Sequence, residues 1–158
     1  DGNKINPTLL KNMAYYNDTK IVKNSTSSYF IKLLRAVVLE TNYTGPKVKI
    51  EGYEIGGKTG TAELIDETGR YINNANRTAF IGVFPMSKPK YVILAIIDDP
   101  KKIKEENYSI TAATVTAPLA KSIILQMIKI LSISPTLNNN IYKASSDKYI
   151  LTNKNVTF

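Results

Sequence analysis

The fold and the function both depend on residues 57–62, which read Gly57-Lys58-Thr59-Gly60-Thr61-Ala62. One interpretation is a strand that presents a Lys ammonium and Thr hydroxyls to a cleft. The other is a phosphate loop, because Gly52 stands four residues before Gly57-Lys58-Thr59 and completes a Gly-x-x-x-x-Gly-Lys-Thr pattern. The sequence on either side of this stretch favours one interpretation over the other.

Composition limits the chemistry that is open to the chain. With 158 residues, 43% hydrophobic and 22% charged, it is expected to form one soluble globular domain or part of one. It has no Cys and no His, which excludes disulfides, thiolate chemistry and every Ser-His-Asp arrangement. Catalysis would have to use Ser, Thr, Lys, Tyr or carboxylates. We expect no metal and no cofactor.

The net charge of +8 does not by itself indicate a partner. The Lys residues are scattered, and the densest cluster, 101–104, is followed directly by Glu105-Glu106 without interleaved aromatic residues. We therefore expect no nucleic-acid partner. The best apolar run, residues 91–97, is far shorter than the roughly 20 residues that a spanning helix needs. No secretory signal is visible at the polar start.

Hydrophobic periodicity predicts a helix over residues 28–42, capped by Ser27 or Ser28 and stopped by Gly45-Pro46. Residues 1–24 are expected to be extended or irregular, and residues 48–53 form a short extended piece. A second helix is predicted over residues 118–132. The apolar faces predicted for the two helices comprise Phe30, Leu33, Leu34, Val37 and Val38 in the first, and Leu119, Ile123, Met127, Ile130 and Leu131 in the second.

Three strands are predicted between the helices, over residues 55–64, 78–84 and 91–97, with a turn at 66–69 after the first. In the second strand Phe80 and Phe84 should face opposite to Ala79, Ile81 and Val83. The third strand is apolar throughout and should be covered on both faces. The fold class expected is α+β, with a three-stranded antiparallel sheet and helices packed on it. Residues 136–158 are expected to form a polar tail.

The context argues against a phosphate loop. Such a loop follows an apolar strand and opens a helix whose N-terminus holds the phosphate. Here the half-charged segment 47–51 precedes Gly52, and a β-type stretch with a turn by residue 66 follows Thr59. Asp98, at the end of the third strand, resembles a magnesium-binding Asp. We instead interpret it as the end of a sheet strand at a turn, which explains the presence of an Asp better.

A strand that carries Lys58-Thr59-Gly60-Thr61 suits a binding cleft. Thr59 and Thr61 point the same way because strand side chains repeat every two residues, so both hydroxyls can reach one carboxylate. Gly60 lets an extended peptide approach closely. Lys58 supplies positive potential, and a backbone N–H can donate to a developing oxyanion.

The order and spacing of the motifs resemble the C-terminal half of the transpeptidase domain of class B penicillin-binding proteins, most closely the cell-division enzymes. The matching segments are 57–63 (GKTGTAE), 66–71 (DETGRY), 77–85 (RTAFIGVFP), 88–94 (KPKYVIL), 98–101 (DDPK), 112–118 (AATVTAP) and 2–7 (GNKINP). The resemblance covers about residues 1–135. It departs from the family near Ala113, where a Gly is expected.

The resemblance implies a peptidoglycan D,D-transpeptidase that works through an acyl-serine and is a target of β-lactams. Lys58 and Thr61 would be catalytic, and Thr59, Gly60 and Thr61 would bind the stem peptide or the β-lactam. It also implies division-complex partners, a location on the periplasmic side of the inner membrane and an N-terminal membrane anchor outside this chain.

The nucleophile of that family is expected upstream of Lys58 in a Ser-x-x-Lys motif, and no such motif precedes it here. Ser145-Ser146-Asp147-Lys148, in the polar tail, matches the motif downstream, and we interpret it as chance. The chain is therefore expected to be an inactive fragment that carries one wall of the site and associates with itself through an exposed edge or face. The alternatives are a non-catalytic binding or scaffold module and, less favoured, the phosphate-loop protein.

Overall fold

A three-stranded antiparallel sheet forms the centre of the computed structural model, which describes residues 2–10, 16–102 and 109–136. The polar tail, with Ser145 and Lys148, lies outside the described residues, apart from Thr136. The elements, in chain order, are β1 (Asn3–Ile5), β2 (Tyr16–Lys20), α1 (Asn24–Glu40), α2 (Gly45–Val48), β3 (Gly56–Ile65), β4 (Tyr71–Phe84), β5 (Tyr91–Asp98) and α3 (Thr116–Ile130). The α+β prediction is confirmed. Within residues 1–24, β1 and β2 pair as an antiparallel ribbon.

The register of the sheet places β4 between β3 and β5. Thr59 pairs with Phe80, which in turn pairs with Ala95. Phe80 and Phe84 are buried, whereas Ile81 is 42% exposed, so the alternation predicted for this strand is confirmed. β4 begins seven residues earlier than the prediction, at Tyr71, because it continues back to the turn at 66–69.

Phe80 lies against two glycines that face each other across β3 and β4. Gly57 pairs with Gly82. A Cβ on Gly57 would come within 2.4 Å of the Phe80 ring, and one on Gly82 within 3.0 Å of it. The two glycines therefore leave the flat space in which the fully buried ring lies, and larger side chains there would displace it.

Side chains from all three helices of the described chain pack on the face of the sheet that carries Phe80. The buried residues of this core cluster are Val38 of α1, Val48 of α2, Phe80, Ala95 of β5, and Ala117 and Ala120 of α3. A neighbouring cluster holds Ile50, Ile55, Phe84, Ile93 and Ile124. Small Ala side chains let α3 approach the sheet closely.

The predicted apolar face of α3 is wrong. Of its five residues, Leu119, Ile123, Ile130 and Leu131 are between 36% and 78% exposed, and Met127 is half-buried. The helix instead buries Ala117, Ala120 and Ile124. In α1, Val38 is buried and Leu34 and Val37 are half-buried, but Phe30 and Leu33 remain exposed. Both helices contain more apolar residues than the described sheet covers. Because apolar residues lie on more than one side of α3, hydrophobic periodicity alone predicted the wrong buried side.

The segment around Gly45-Pro46 also differs from the prediction. α1 runs from Asn24 to Glu40 and has ended before Gly45. Pro46 lies in the first turn of α2, where its fixed φ and missing N–H suit a helix start. Val48 ends that helix, fully buried, and a turn at Glu51-Gly52 follows, so residues 48–53 are not an extended piece.

The prediction that β5 is covered on both faces is wrong for the described chain. Ile93 and Ala95 are buried, but Val92, Leu94 and Ile96 are 67%, 61% and 51% exposed. Together with Ile81 of β4, these three residues form what we call the uncovered apolar face. The apolar sequence of β5 predicts burial but does not show which faces of the strand are covered. The described helices cover only one face of β5.

The glycine pair gives a stability prediction with an internal control. Gly57→Ala should lower the free energy of unfolding by about 1–3 kcal/mol, because the new methyl group meets the Phe80 ring and, at 2.5 Å, the carbonyl oxygen of Ile81. Gly60→Ala should stay within about 0.5 kcal/mol of the original chain, because a Cβ there meets no atom of the described residues within 4 Å. Urea unfolding of the three proteins tests this, and equal effects of the two substitutions would contradict the packing account.

Candidate active site

The Lys58–Thr61 segment lies on β3, an outer strand of the sheet. Among the described residues β3 pairs with β4 alone, so its other edge meets no strand of this chain. The backbone around its start is held from two sides: Arg35 of α1 donates from Nη1 to the carbonyl oxygen of Ile55 at 2.6 Å, and Met86 N donates to the carbonyl oxygen of Glu54 at 3.0 Å. These two hydrogen bonds hold the backbone at the start of β3. They leave the outer edge of β3 where an extended chain can approach.

The register separates the side chains of the segment between the two faces of the sheet. Directly paired residues have their side chains on the same face. Thr59 pairs with Phe80 and Thr61 with Thr78, and both partners are buried towards the helices. Lys58 pairs with Ile81, which belongs to the uncovered apolar face. Thr59 and Thr61 thus share one face, and Lys58 lies on the other.

Each residue of the segment has a definite environment. Lys58 is exposed, and its Nζ donates to the carbonyl oxygen of Thr59 at 2.8 Å. Thr59 is half-buried and Thr61 is exposed, with its Oγ1 accepting a hydrogen bond from the N–H of Ala112 at 3.1 Å. A Cβ on Gly60 would point into space that none of the described residues occupies. Unlike Gly57, Gly60 is not required by any packing within the described chain.

A phosphate loop is incompatible with this geometry. Lys58 and Thr59 are in the middle of an extended strand, and no helix of the described part of the chain begins near them to hold a phosphate. Asp98, the residue that resembled a magnesium ligand, forms an ion pair with Arg77. Within residues 2–10, 16–102 and 109–136, no group of His, Cys, Asp and Glu is arranged to hold a metal ion.

The Arg77–Asp98 ion pair joins β4 and β5, next to the Lys58–Thr61 segment of β3. Arg77 pairs with both Ala62 and Asp98, and its guanidinium donates to the two carboxylate oxygens of Asp98 at 2.5 and 2.7 Å. The hydrogen bond from Arg77 lowers the pKa of Asp98 below its ordinary value, and charge attraction adds to it. This cross-strand contact was not predicted, because it depends on a register that the sequence does not specify.

Comparison with known proteins decides the family. The family model for the penicillin binding protein transpeptidase domain matches residues 1–124. The chain belongs to the penicillin-binding protein transpeptidase family. The resemblance drawn from the motifs is thereby confirmed.

Transpeptidase relatives are longer than this chain. It is 38% identical over 119 residues to a peptidoglycan D,D-transpeptidase FtsI homolog of Mesostigma viride, covering 75% of this chain and 19% of the relative. It is 32% identical to stage V sporulation protein D of Bacillus subtilis, again over 119 residues, covering 75% of this chain and 17% of that protein. The chain thus spans about a fifth of the length of these relatives.

A solved penicillin binding protein structure shows the same architecture. Penicillin binding protein 3 of Mycobacterium tuberculosis, in complex with ampicillin, superposes with a TM-score of 0.62 and 28% identity. The match covers 78% of this chain and 28% of that one. No helix in the described ranges of the present chain is both long and apolar enough to span a membrane.

The Arg77–Asp98 pair gives a pH prediction. The folded-state pKa of Asp98 is lowered relative to the unfolded value of about 3.9, so its stabilisation is fully present above that pH and is lost as pH falls through the folded-state pKa. The difference in the free energy of unfolding between the original chain and Asp98→Asn should therefore be larger at pH 6 than at pH 3. Asp66, whose pKa is lowered mainly by the Thr68 hydroxyl, is present in both proteins. Its pH-dependent contribution to stability therefore cancels in the difference between them. A difference that is independent of pH would show that the pair does not stabilise the fold.

Proposed function

We propose that this chain is the C-terminal part of a serine-type peptidoglycan D,D-transpeptidase of the cell-division kind, and that it supplies one wall of the active site. Residues 1–135 would belong to the transpeptidase domain, and residues 136–158 would follow it as a tail. The observation that carries the proposal is the arrangement of Lys58, Gly60 and Thr61 on a strand whose outer edge pairs with no strand of the described residues and can accept an extended peptide. The family assignment supports it.

In the proposed reaction a Ser from outside this chain attacks the carbonyl carbon of the penultimate D-alanine of a stem peptide. The terminal D-alanine leaves, and an amine of a neighbouring strand then takes the acyl group from the Ser. A β-lactam acylates the same Ser. The N–H of Thr61 would donate to the oxyanion, and the hydroxyls of Thr59 and Thr61 would bind the substrate carboxylate.

The division of side chains between the two faces of β3 supports a definite placement of the missing parts. Lys58 points to the uncovered apolar face, so the group that it serves must approach from that side. We propose that the remainder of the transpeptidase domain, with its nucleophile, covers that face in the full-length protein. Removing those elements would leave this chain without an acylation site. The division-complex partners, the membrane anchor and the periplasmic location belong to the same proposal.

Acylation by a labelled penicillin tests the proposed chemistry. Intact-mass spectrometry should find one adduct on the full-length protein and none on the 158-residue chain. In the full-length protein, Lys58→Ala should slow acylation about a hundredfold, because groups that face developing charge contribute on that order. Lys88→Ala, which removes an exposed Lys from the turn between β4 and β5, is the matched control.

Other adduct patterns have definite meanings. A stoichiometric adduct on the 158-residue chain would place the nucleophile within it, with Ser145 as the first candidate. A full-length protein that binds the peptide but never forms an adduct would favour the binding or scaffold module.

Association of the isolated chain is a separate part of the proposal. Val92, Leu94 and Ile96 are exposed on β5, and no strand in the described part of the chain pairs with the outer edge of β5. Unpaired edges and contiguous apolar surfaces promote pairing between copies.

Sedimentation velocity at micromolar concentration should therefore show dimers or larger species of the 158-residue chain. Leu94→Lys should shift them towards monomer, because a charge then interrupts the uncovered apolar face. Leu9→Lys, which changes a fully exposed apolar residue outside the sheet, should not. A monomer at every concentration would refute self-association.

A further inference from the structure

The loop that precedes α3 contacts the candidate active site through a backbone group. Ala112, only 1% exposed, donates its N–H to Oγ1 of Thr61 at 3.1 Å across 51 residues of sequence. Thr61 is the residue to which the proposed function gives both an oxyanion contact and a carboxylate contact. The loop, by contrast, has no role in the proposed reaction.

The contact determines what the Thr61 hydroxyl can do. A hydroxyl has one proton to donate and lone pairs that accept. The N–H of Ala112 occupies a lone pair and fixes the position of the oxygen, so the proton is directed to the other side. A hydroxyl that already accepts one hydrogen bond also donates more strongly, because hydrogen bonds in a chain polarise one another. A ligand at this point is therefore favoured if it brings an acceptor, above all a carboxylate oxygen.

Hydrogen bonds within the loop hold the Ala112 peptide in place. On its N-terminal side, Oγ1 of Thr114 accepts from the N–H of Thr111 at 3.0 Å and donates to the carbonyl oxygen of Ser109 at 2.7 Å. On its C-terminal side, the carbonyl oxygen of Ala112 accepts from the N–H of Ala117 at 2.8 Å and from Oγ1 of Thr116 at 3.1 Å. The donor is thus braced against both the loop and the first turn of α3.

We propose that the N–H of Ala112, braced by Thr114, is a positioning group that orients the Thr61 hydroxyl as a donor and thereby selects ligands with a carboxylate at that point. The inference rests on the proposed function and adds the 109–117 segment to the site. Thr114 acts through Ala112 and Thr61 and does not touch the ligand.

The test compares benzylpenicillin with its methyl ester as acylating agents of the full-length protein. Thr114→Val removes the bracing hydroxyl, and the acylation rate with the free acid should fall about fivefold to tenfold, as the loss of one hydrogen bond allows. The rate with the ester should change by less than about twofold, since the ester lacks the charged acceptor. Thr114→Ser should restore the rate with the acid. Ser109→Ala, in the same loop, removes a hydroxyl that none of the described hydrogen bonds uses and should leave both rates unchanged.

A second measurement reads the hydrogen bond directly. Hydrogen–deuterium exchange of a peptide that covers residues 110–116 should become faster in Thr61→Val, which loses the acceptor of the Ala112 N–H. Thr61→Ser keeps that acceptor and should retain the protection. This measurement stays informative if Thr114→Val does not fold.

The outcomes separate the inference from the proposed function. Equal losses with acid and ester in Thr114→Val would show a merely structural role and overturn the inference. Unchanged rates with both agents, or the same exchange rate in Thr61→Val and Thr61→Ser, would also overturn it. If the full-length protein forms no adduct with either agent, the proposed function itself fails.

Discussion

The structure depends on the packing of Phe80 against the paired glycines Gly57 and Gly82. A one-residue slip between β3 and β4 would turn every side chain of one strand to the other face. Such a slip would move the ring away from the glycines and out of the core that Val38 and Ala117 complete. The Phe80 ring therefore fixes the register between β3 and β4. That register determines on which face of the sheet each residue of the Lys58–Thr61 segment lies. The placement of the edge residues is set by packing in the middle of the sheet.

As a consequence, residues of the Lys58–Thr61 segment face both sides of the sheet. Thr59 and Thr61 face the side where α1 and α3 pack, and the loop before α3 can reach Thr61. Lys58 faces the side of the sheet that carries the uncovered apolar face and the Arg77–Asp98 pair. A site that needs both sets of groups must be closed by something on the second side. The exposed residues of β5 and the length of the relatives, of which the match covers about a fifth, support the same conclusion.

Local sequence signals predicted the three strands of the central sheet and the two long helices, but they failed on the surroundings of these elements. Alternation identified the inward face of β4, and the turn at 66–69 is stabilised by the Asp66 carboxylate as its composition suggests. By contrast, the apolar face of α3 was placed on Leu119, Ile123, Met127, Ile130 and Leu131, and the helix uses Ala117, Ala120 and Ile124. A Leu is a stronger hydrophobic signal than an Ala, but close packing against Phe80 favours the smaller residue. Periodicity measures hydrophobicity along a helix and carries no information about the shape of its partner.

The sequence by itself determined the order and type of the three strands of the central sheet, the family, and the strand that carries Lys58, Thr59, Gly60 and Thr61, because each of these rests on local segments of the chain. Only the tertiary structure decided that Lys58 and Thr61 lie on opposite faces, that β5 keeps an uncovered face, and that Ala112 donates to Thr61. These features depend on strand register, on which elements cover a surface, and on a hydrogen bond between distant residues. Such interactions are fixed by packing in three dimensions, and no local pattern in the chain specifies them.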